Sequence, residues 1–261
     1  MLKKLILCGV IATLLFCSCE QDVPTISGSY TLKVDGLEYE MVYLQNGSFE
    51  MGATSEQGGL ANYSAEYPTH SVQLGSYYIG ENEVTQGLWR AIMGSDSVVT
   101  AERQVLGLGD NLPVHNISWD EAQAFVDALN AATGASFSLP LEAEWEYAAR
   151  GGVQDNIYSG SSVLENVGWN GYEDVKKPRT KGSNSFGIYD MSGNVAEYCM
   201  DWYGAYTSGN QIMPAGPSTG THKVVRGGSV TSSDNECRVS ARRKELPTER
   251  IIDCGFRLVL R

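Results

Sequence analysis

The sequence is poor in the residues that most enzymes use for chemistry. Its three histidines, His70, His115 and His222, lie far apart. No His-x-x-x-His or Cys-x-x-Cys spacing is present, which leaves a transition-metal centre without a motif. No Gly-x-Ser-x-Gly elbow, phosphate-binding loop or dinucleotide fingerprint occurs. Basic residues are scarce: 19 Lys and Arg against 31 Asp and Glu give a formal charge of −12. A chain this acidic, without a basic cluster, suits neither nucleic acid nor an anionic membrane surface. Of six cysteines, three fall within residues 1–19. The other three, Cys199, Cys237 and Cys254, allow at most one disulfide, and the pairing is open.

What is present suggests export followed by one large domain. Lys3-Lys4 precede an apolar run, Leu5 to Phe16, that is short for a bilayer span. The run ends at Phe16-Cys17-Ser18-Cys19, which resembles a lipobox. Residues 1–19 therefore read as a lipoprotein signal, with Cys19 lipidated and the protein anchored in the outer membrane of a cell envelope. Glu20-Gln21-Asp22 is acidic, as in surface-exported lipoproteins, and residues 20–27 form a tether. Loss of Lys3 and Lys4 takes the charge from −12 to −14, which suits a protein that holds divalent cations. Asp96-Ser97-Val98 resembles an O-glycan acceptor.

Residues 28–261 read as a single α+β domain, with strands at both ends and helices in the middle. Tyr30–Val34 and Leu37–Glu40 alternate apolar and polar around Asp35-Gly36, a hairpin signal. Short strands are expected through Met41–Leu44, Gly47–Gly52 and His70–Tyr78, with a polar loop over residues 53–69. Three helices follow. Thr85 can cap Gln86–Met93. Ser118-Trp119-Asp120-Glu121 is a capping box, with Ala122, Phe125, Val126 and Leu129 at helical spacing. Pro140 opens the third helix, which runs to Arg150 and closes at Gly151-Gly152. Glu142, Glu144 and Glu146 on that helix suggest a solvated face and caps rather than a catalytic pair, and Arg242-Arg243-Lys244 a salt-bridged surface.

Gly187 to Trp202, G-I-Y-D-M-S-G-N-V-A-E-Y-C-M-D-W, concentrates the acidic residues among apolar ones. Buried carboxylates need donors, a cation or a metal. Asp190 and Glu197 bracket a tight loop. They suit an oxygen cage for a hard cation, or equally a turn whose Asp caps its own backbone.

Several stretches occur in a recognisable order: Gly47–Gly52, Glu83-Val84-Thr85, Pro113-Val114 with Ser118-Trp119, Glu142–Gly152, the acidic loop, Arg226-Gly227-Gly228-Ser229 and Gly255-Phe256-Arg257. Together they resemble the formylglycine-generating enzyme family, the sulfatase-modifying factor domain. The resemblance spans about Met41 to the C-terminus. It implies a C-type-lectin-like α+β fold with little regular secondary structure, and structural calcium. The calcium ligands it implies are the Asp190 and Glu197 side chains with the Gly193 and Val195 carbonyls. A second calcium site would begin at Asn166-Val167, but the segment that should complete it is shorter here and lacks a partner residue.

The family's enzyme oxidises a substrate cysteine with molecular oxygen, using copper(I) between two thiolates. Its first cysteine lies three residues after Arg-Gly-Gly-Ser, where this chain has Ser232, a hard hydroxyl ligand unsuited to copper(I). Cys237 falls at the second position, yet Cys237 to Arg242 also matches the Cys-Arg-x-x-x-Arg run of non-catalytic members. Ala196 replaces a Trp usual beside the active site, and Leu141 replaces a helix-capping Thr. The expectation is a calcium-stabilised binding or structural module without copper chemistry, its catalytic candidate Cys237 acting as a structural thiol or half of a bridge. The alternative is an oxygen-dependent oxidoreductase of the formylglycine-generating type. A glycan, peptide or envelope protein would be the partner, met by Trp169, Asn170, Tyr172, Trp202, Tyr203, Tyr206 and residues 230–236. Retroelement-diversified proteins likewise carry their variable segment after Arg-Gly-Gly-Ser.

Overall fold

A computed structural model describes residues 28–58, 64–94, 106–152 and 155–261. Cys19, the tether and Ser97 lie outside the described residues. The hairpin forms as expected: β1 (Ser29–Val34) pairs antiparallel with β2 (Leu37–Leu44), and Asp35 and Gly36 turn with positive φ. β3 (Gly47–Met51) follows, then a short helix α1 (Ser55–Gly58) inside the expected loop, then β4 (His70–Leu74) and β5 (Tyr77–Gly80). One alternating run thus becomes two strands, broken at Gly75-Ser76. Helix α2 (Gln86–Met93) is capped by Thr85, whose Oγ1 accepts from Leu88 N at 3.2 Å. In α3 (Trp119–Thr133) both bonds of the capping box form, at 3.1 and 3.0 Å. Each of these helices ends on a left-handed glycine, Gly94 or Gly134.

β6 (Phe137–Ser138) and α4 (Glu142–Arg150) lead into a long irregular stretch. The chain then adds β7 (Ala196–Trp202), β8 (Gln211–Ile212), β9 (Lys223–Arg226), β10 (Arg242–Glu245), β11 (Cys254–Gly255) and β12 (Val259–Leu260). Three sheets result, in the orders β1-β2-β5-β12-β6, β10-β9-β7-β11 and β3-β4-β8. β12 inserts between β5 and β6, so the C-terminus is tied to the N-terminal hairpin sheet. β11 runs parallel to β7, with Gly255 opposite Glu197. Gly255 has to be glycine, because a Cβ there would lie 2.2 Å from the Val114 carbonyl oxygen.

Two apolar cores flank the central sheet. One stacks Trp89 on Phe125 at 5.3 Å between ring centres, with Phe256 edge-on, and joins α2 and α3 to the sheets. The other packs α4 through Trp145, Ala148 and Ala149 against β4, β5 and β7.

Three expectations are corrected here. Glu142, Glu144 and Glu146 are not a solvated face: all three are buried. Arg242 and Arg226 hold Glu142, Arg261 holds Glu144, and Arg150 and Arg226 hold Glu146. Helical spacing spreads the three around the axis, but β9, β10, Arg261 after β12 and the helix's own Arg150 bring arginines to them. Arg242 for the same reason is buried rather than on a salt-bridged surface. Third, Leu141 does not leave α4 uncapped. Asp201 Oδ2, from β7, accepts from Glu142 N at 2.8 Å, and Glu144 Oε2 accepts from Leu141 N at 2.8 Å. A cap from 59 residues away does what an N-cap side chain does locally.

Burial, with Glu142 beside it, pushes Asp201 up to about 7. Glu144 and Lys223 are the other charged groups that face it. A raised folded value means that Asp201 contributes stability below its unfolded value near 4, and that this is lost as pH rises through about 7. Asp201→Asn keeps an acceptor for Glu142 N. Urea unfolding should show the variant gaining on wild type by roughly 1–4 kcal/mol between pH 5 and pH 8; parallel pH profiles would refute this.

Candidate functional site

The acidic loop is held by backbone geometry that few sequences allow. Asp190 and Asn194 are left-handed, with φ of 56° and 64°. Gly193 (φ 90°) donates its N–H to the Gly227 carbonyl at 2.8 Å. A Cβ at Gly193 would lie 2.4 Å from the Trp169 carbonyl oxygen, so the loop and the 169–170 segment lock together only around glycine.

Within this frame four buried charged groups meet: Glu83, Asp190, Glu197 and Arg257. Arg257 grips Glu197 with both arms, Nε to Oε2 and Nη2 to Oε1, each at 2.7 Å, and Trp145 Nε1 also donates to Oε2 at 2.8 Å. Asp190 Oδ2 accepts from Arg179 N at 2.7 Å, while its Oδ1 is buried without a partner. Glu83 Oε1 accepts from Asn194 Nδ2 at 2.9 Å, and its Oε2 is likewise buried and unpartnered. Burial, followed by the neighbouring carboxylates, pushes Glu83 well above the usual carboxylate range. Burial pushes Asp190 up to about 6. Asp190 and Glu197 therefore stand together, and Glu83 joins them. The motif Glu83-Val84-Thr85 was legible, but its carboxylate faces a loop more than 100 residues away, and no local pattern marks it. Asn166 lies apart: it is exposed, and its carbonyl accepts from Gly182 N at 2.9 Å. Val167 packs with Tyr158, Leu164 and Cys237.

The cysteines divide from this cluster. Cys199, Cys237 and Cys254 are all free and buried, so no bridge forms among them. Burial pushes the Cys237 thiol up to about 12, with Asp234 and Glu236 adding to it. Ser232 Oγ is occupied as an acceptor for Ser229 N at 3.1 Å. Among the described residues no group of three or more His, Cys, Asp or Glu side chains gathers as a metal centre.

A cavity of about 320 Å³ opens beside Ser232, lined by Ala196, Gly227, Gly228, Glu236 and Arg243 among others. The small side chain at Ala196 leaves space at the end of β7. The aromatic candidates split into two groups. Trp169 and Tyr172 meet edge to face at 5.3 Å, and Asn170 Nδ2 donates to Asp234 Oδ1 at 2.6 Å, so residues 169–172 join the 230–236 segment. Trp202 and Tyr206 line a different cavity.

Three curled sheets with few helices, tied by an Arg-Gly-Gly-Ser turn and a buried Glu–Arg pair, define a C-type-lectin-like α+β domain. Residues 32–261 match the sulfatase-modifying factor enzyme 1-like domain, and the chain belongs to that family. It is 33% identical over 194 residues to a formylglycine-generating enzyme of Thermomonospora curvata, a match covering 65% of this chain and 60% of that one. The formylglycine-generating enzyme of Streptomyces coelicolor is 29% identical over 282 residues, covering 83% of this chain and 87% of its own length. Treponema denticola variable protein 1 superimposes with a TM-score of 0.79 at 30% identity, over 90% of this chain and 99% of its own. The fold is that of the formylglycine-generating enzymes.

Proposed function

We propose that this protein is a lipid-anchored envelope module that binds a ligand and does not use copper–thiolate chemistry. The observation that carries this reading is the environment of Cys237. Its thiol is fully buried among Tyr158, Leu164 and Val167, held protonated at neutral pH, and paired across the motif with a serine rather than a second cysteine. A two-coordinate copper(I) site needs two accessible thiolates. The cavity beside Ala196 and the joined 169–172 and 230–236 segments give the module its ligand surface. The identity to formylglycine-generating enzymes favours the second reading, an oxygen-dependent oxidase acting on a protein cysteine. One experiment separates the two. Copper(I) titration should give no tight complex, and a cysteine-containing sulfatase peptide incubated with copper and oxygen should gain no aldehyde. Aldehyde formation lost in Cys237→Ala would establish the oxidase.

We read the acidic cluster as the donor set for a calcium ion. Burial disfavours the charged forms of Glu83 and Asp190, and a divalent cation would let Glu83, Asp190 and Glu197 ionise together beside Arg257. Asp190 Oδ1 and Glu83 Oε2 are the buried oxygens without other partners. They would hold the ion with Glu197 and the Gly193 and Val195 carbonyls.

The anchor rests on the lipobox-like context of Cys19. Cys19→Ala should shift the protein out of the membrane fraction and abolish labelling by a clickable fatty acid. Wild-type protein that takes no label would remove the anchor.

A further inference from the structure

A second cavity, of about 370 Å³, lies under the segment joining β7 to β9. Its lining includes His70, Glu142, Asp201, Tyr206, Gln211 and Arg242. The polar hydrogens facing it are largely spent. Arg242 donates Nε and Nη2 to Glu142 at 2.6 and 2.8 Å, and Nη1 to the Ala65 and Gly204 carbonyls at 2.8 and 3.1 Å. Tyr206 OH donates to Glu142 Oε1 at 3.2 Å. Gln211 Nε2 donates to the Thr207 carbonyl and hydroxyl at 3.1 and 2.9 Å.

The acceptors are not spent. His70 Nδ1 lies 3.1 Å from the Pro68 carbonyl, which can only accept, so Nδ1 carries a proton and, in that tautomer, Nε2 offers a lone pair. His70 is 4% exposed, and Nε2 has no hydrogen-bond partner among the described residues. Asp201 is also 4% exposed; Oδ2 takes Glu142 N, while Oδ1 takes no hydrogen bond from another residue among the described ones. Gln211 Oε1 likewise has no hydrogen-bond partner among the described residues. Among the described residues no cation pairs with Asp201 directly. Arg242 is committed to Glu142, and Lys223 donates to the Met200 carbonyl at 2.8 Å between the Trp119 and Trp202 rings.

We infer that this cavity binds a primary ammonium group, with His70 Nε2, Asp201 Oδ1 and Gln211 Oε1 as acceptors. An ammonium has three donors and no acceptor, which complements a wall of free acceptors around an unpaired carboxylate. Met51, Ala143, Pro214 and Pro217 offer an apolar wall for the carbon skeleton that carries it. The volume is that of a small-molecule site rather than a bare ion, and no group of three metal-ligating side chains gathers here among the described residues. A lysine side chain and an amino sugar both carry the group. The site is separate from the Ala196 cavity and does not depend on the absence of copper chemistry.

The test is calorimetric titration of the full-length protein with n-butylammonium, with 1-butanol as the neutral comparison. Butylammonium should bind saturably and butanol more weakly by roughly tenfold or more. Asp201→Asn should weaken butylammonium binding by roughly tenfold. Ala205→Trp, at an exposed position on the rim, should block it by filling the cavity, and gives an answer even if the Asp201 variant misfolds. Nα-acetyl-lysine amide and glucosamine then separate the two sources: whichever binds more tightly, and loses binding on N-acetylation of its amine, names the natural group. Absence of saturable binding, equal affinity for butanol, or indifference to both variants would overturn the assignment.

Discussion

Removing calcium from the purified protein with a chelator should lower its melting midpoint by about 6–12 °C, and restoring calcium should reverse the change. A ligand held only by the folded state stabilises it by on the order of 3 kcal/mol at a hundredfold excess over its dissociation constant. For a domain of this size each kcal/mol moves the midpoint by about 2–4 °C. The physical source is the buried group of Glu83, Asp190 and Glu197, which among the described residues has Arg257 alone as its bonded cation. Asp190→Ala and Glu83→Gln should each melt at one temperature with or without chelator. Glu83→Gln is the sharper variant, because Gln still offers an oxygen to Asn194 Nδ2 and removes a charge rather than a cap. A wild-type melting curve indifferent to chelator and calcium would reduce the cluster to a hydrogen-bonded turn.

The ease with which the fold was read, against the difficulty of the site, follows from the range of the forces involved. Helices α2 and α3 announce themselves because a cap, an apolar stripe and a terminal glycine all lie within one element, at Thr85 and Gly94 and at Ser118 and Gly134. The hairpin at Asp35-Gly36 is local in the same way. The loop bearing Asp190 and Glu197 was visible because its turn residues are contiguous. The partners of Glu83, Asp201 and Arg257 were not, since each of these residues acts on one from 59 to 111 positions away. Glu142, Glu144 and Glu146 misled for a related reason: alternation on a helix says nothing about arginines arriving from β9, β10 and the C-terminus. The three free cysteines show the same limit, as the sequence left their pairing open and only their separate burial decides it.

Those long-range pairs also set the second large effect, at Arg238. It is fully buried, and Nη1 and Nη2 reach Glu66 at 2.8 and 2.6 Å across 172 positions of sequence. Ser240 Oγ shares Glu66 Oε2 at 2.5 Å, and Gln57 Oε1 accepts from Arg238 Nη1 at 3.3 Å. Arg238→Met should cost about 3–5 kcal/mol in urea unfolding, because it strands the Glu66 carboxylate in the interior without its cation. Arg238→Met combined with Glu66→Leu should recover most of that loss, since two apolar side chains can fill the space of a buried ion pair with little penalty. The cycle thus separates a stranded charge from lost packing. It also has a local readout. Glu66 and Arg238 border the Ala196 cavity, and Cys237 adjoins Arg238 in the chain, so the single variant should expose a thiol that is inaccessible in wild type. Faster modification of Cys237 by a thiol reagent in Arg238→Met, returned to the wild-type rate in the double variant, is the expected result. A single variant within about 1 kcal/mol of wild type, well below the cost of an uncompensated buried charge, would mean that Glu66 finds another partner and that the pair does not hold this cavity in shape.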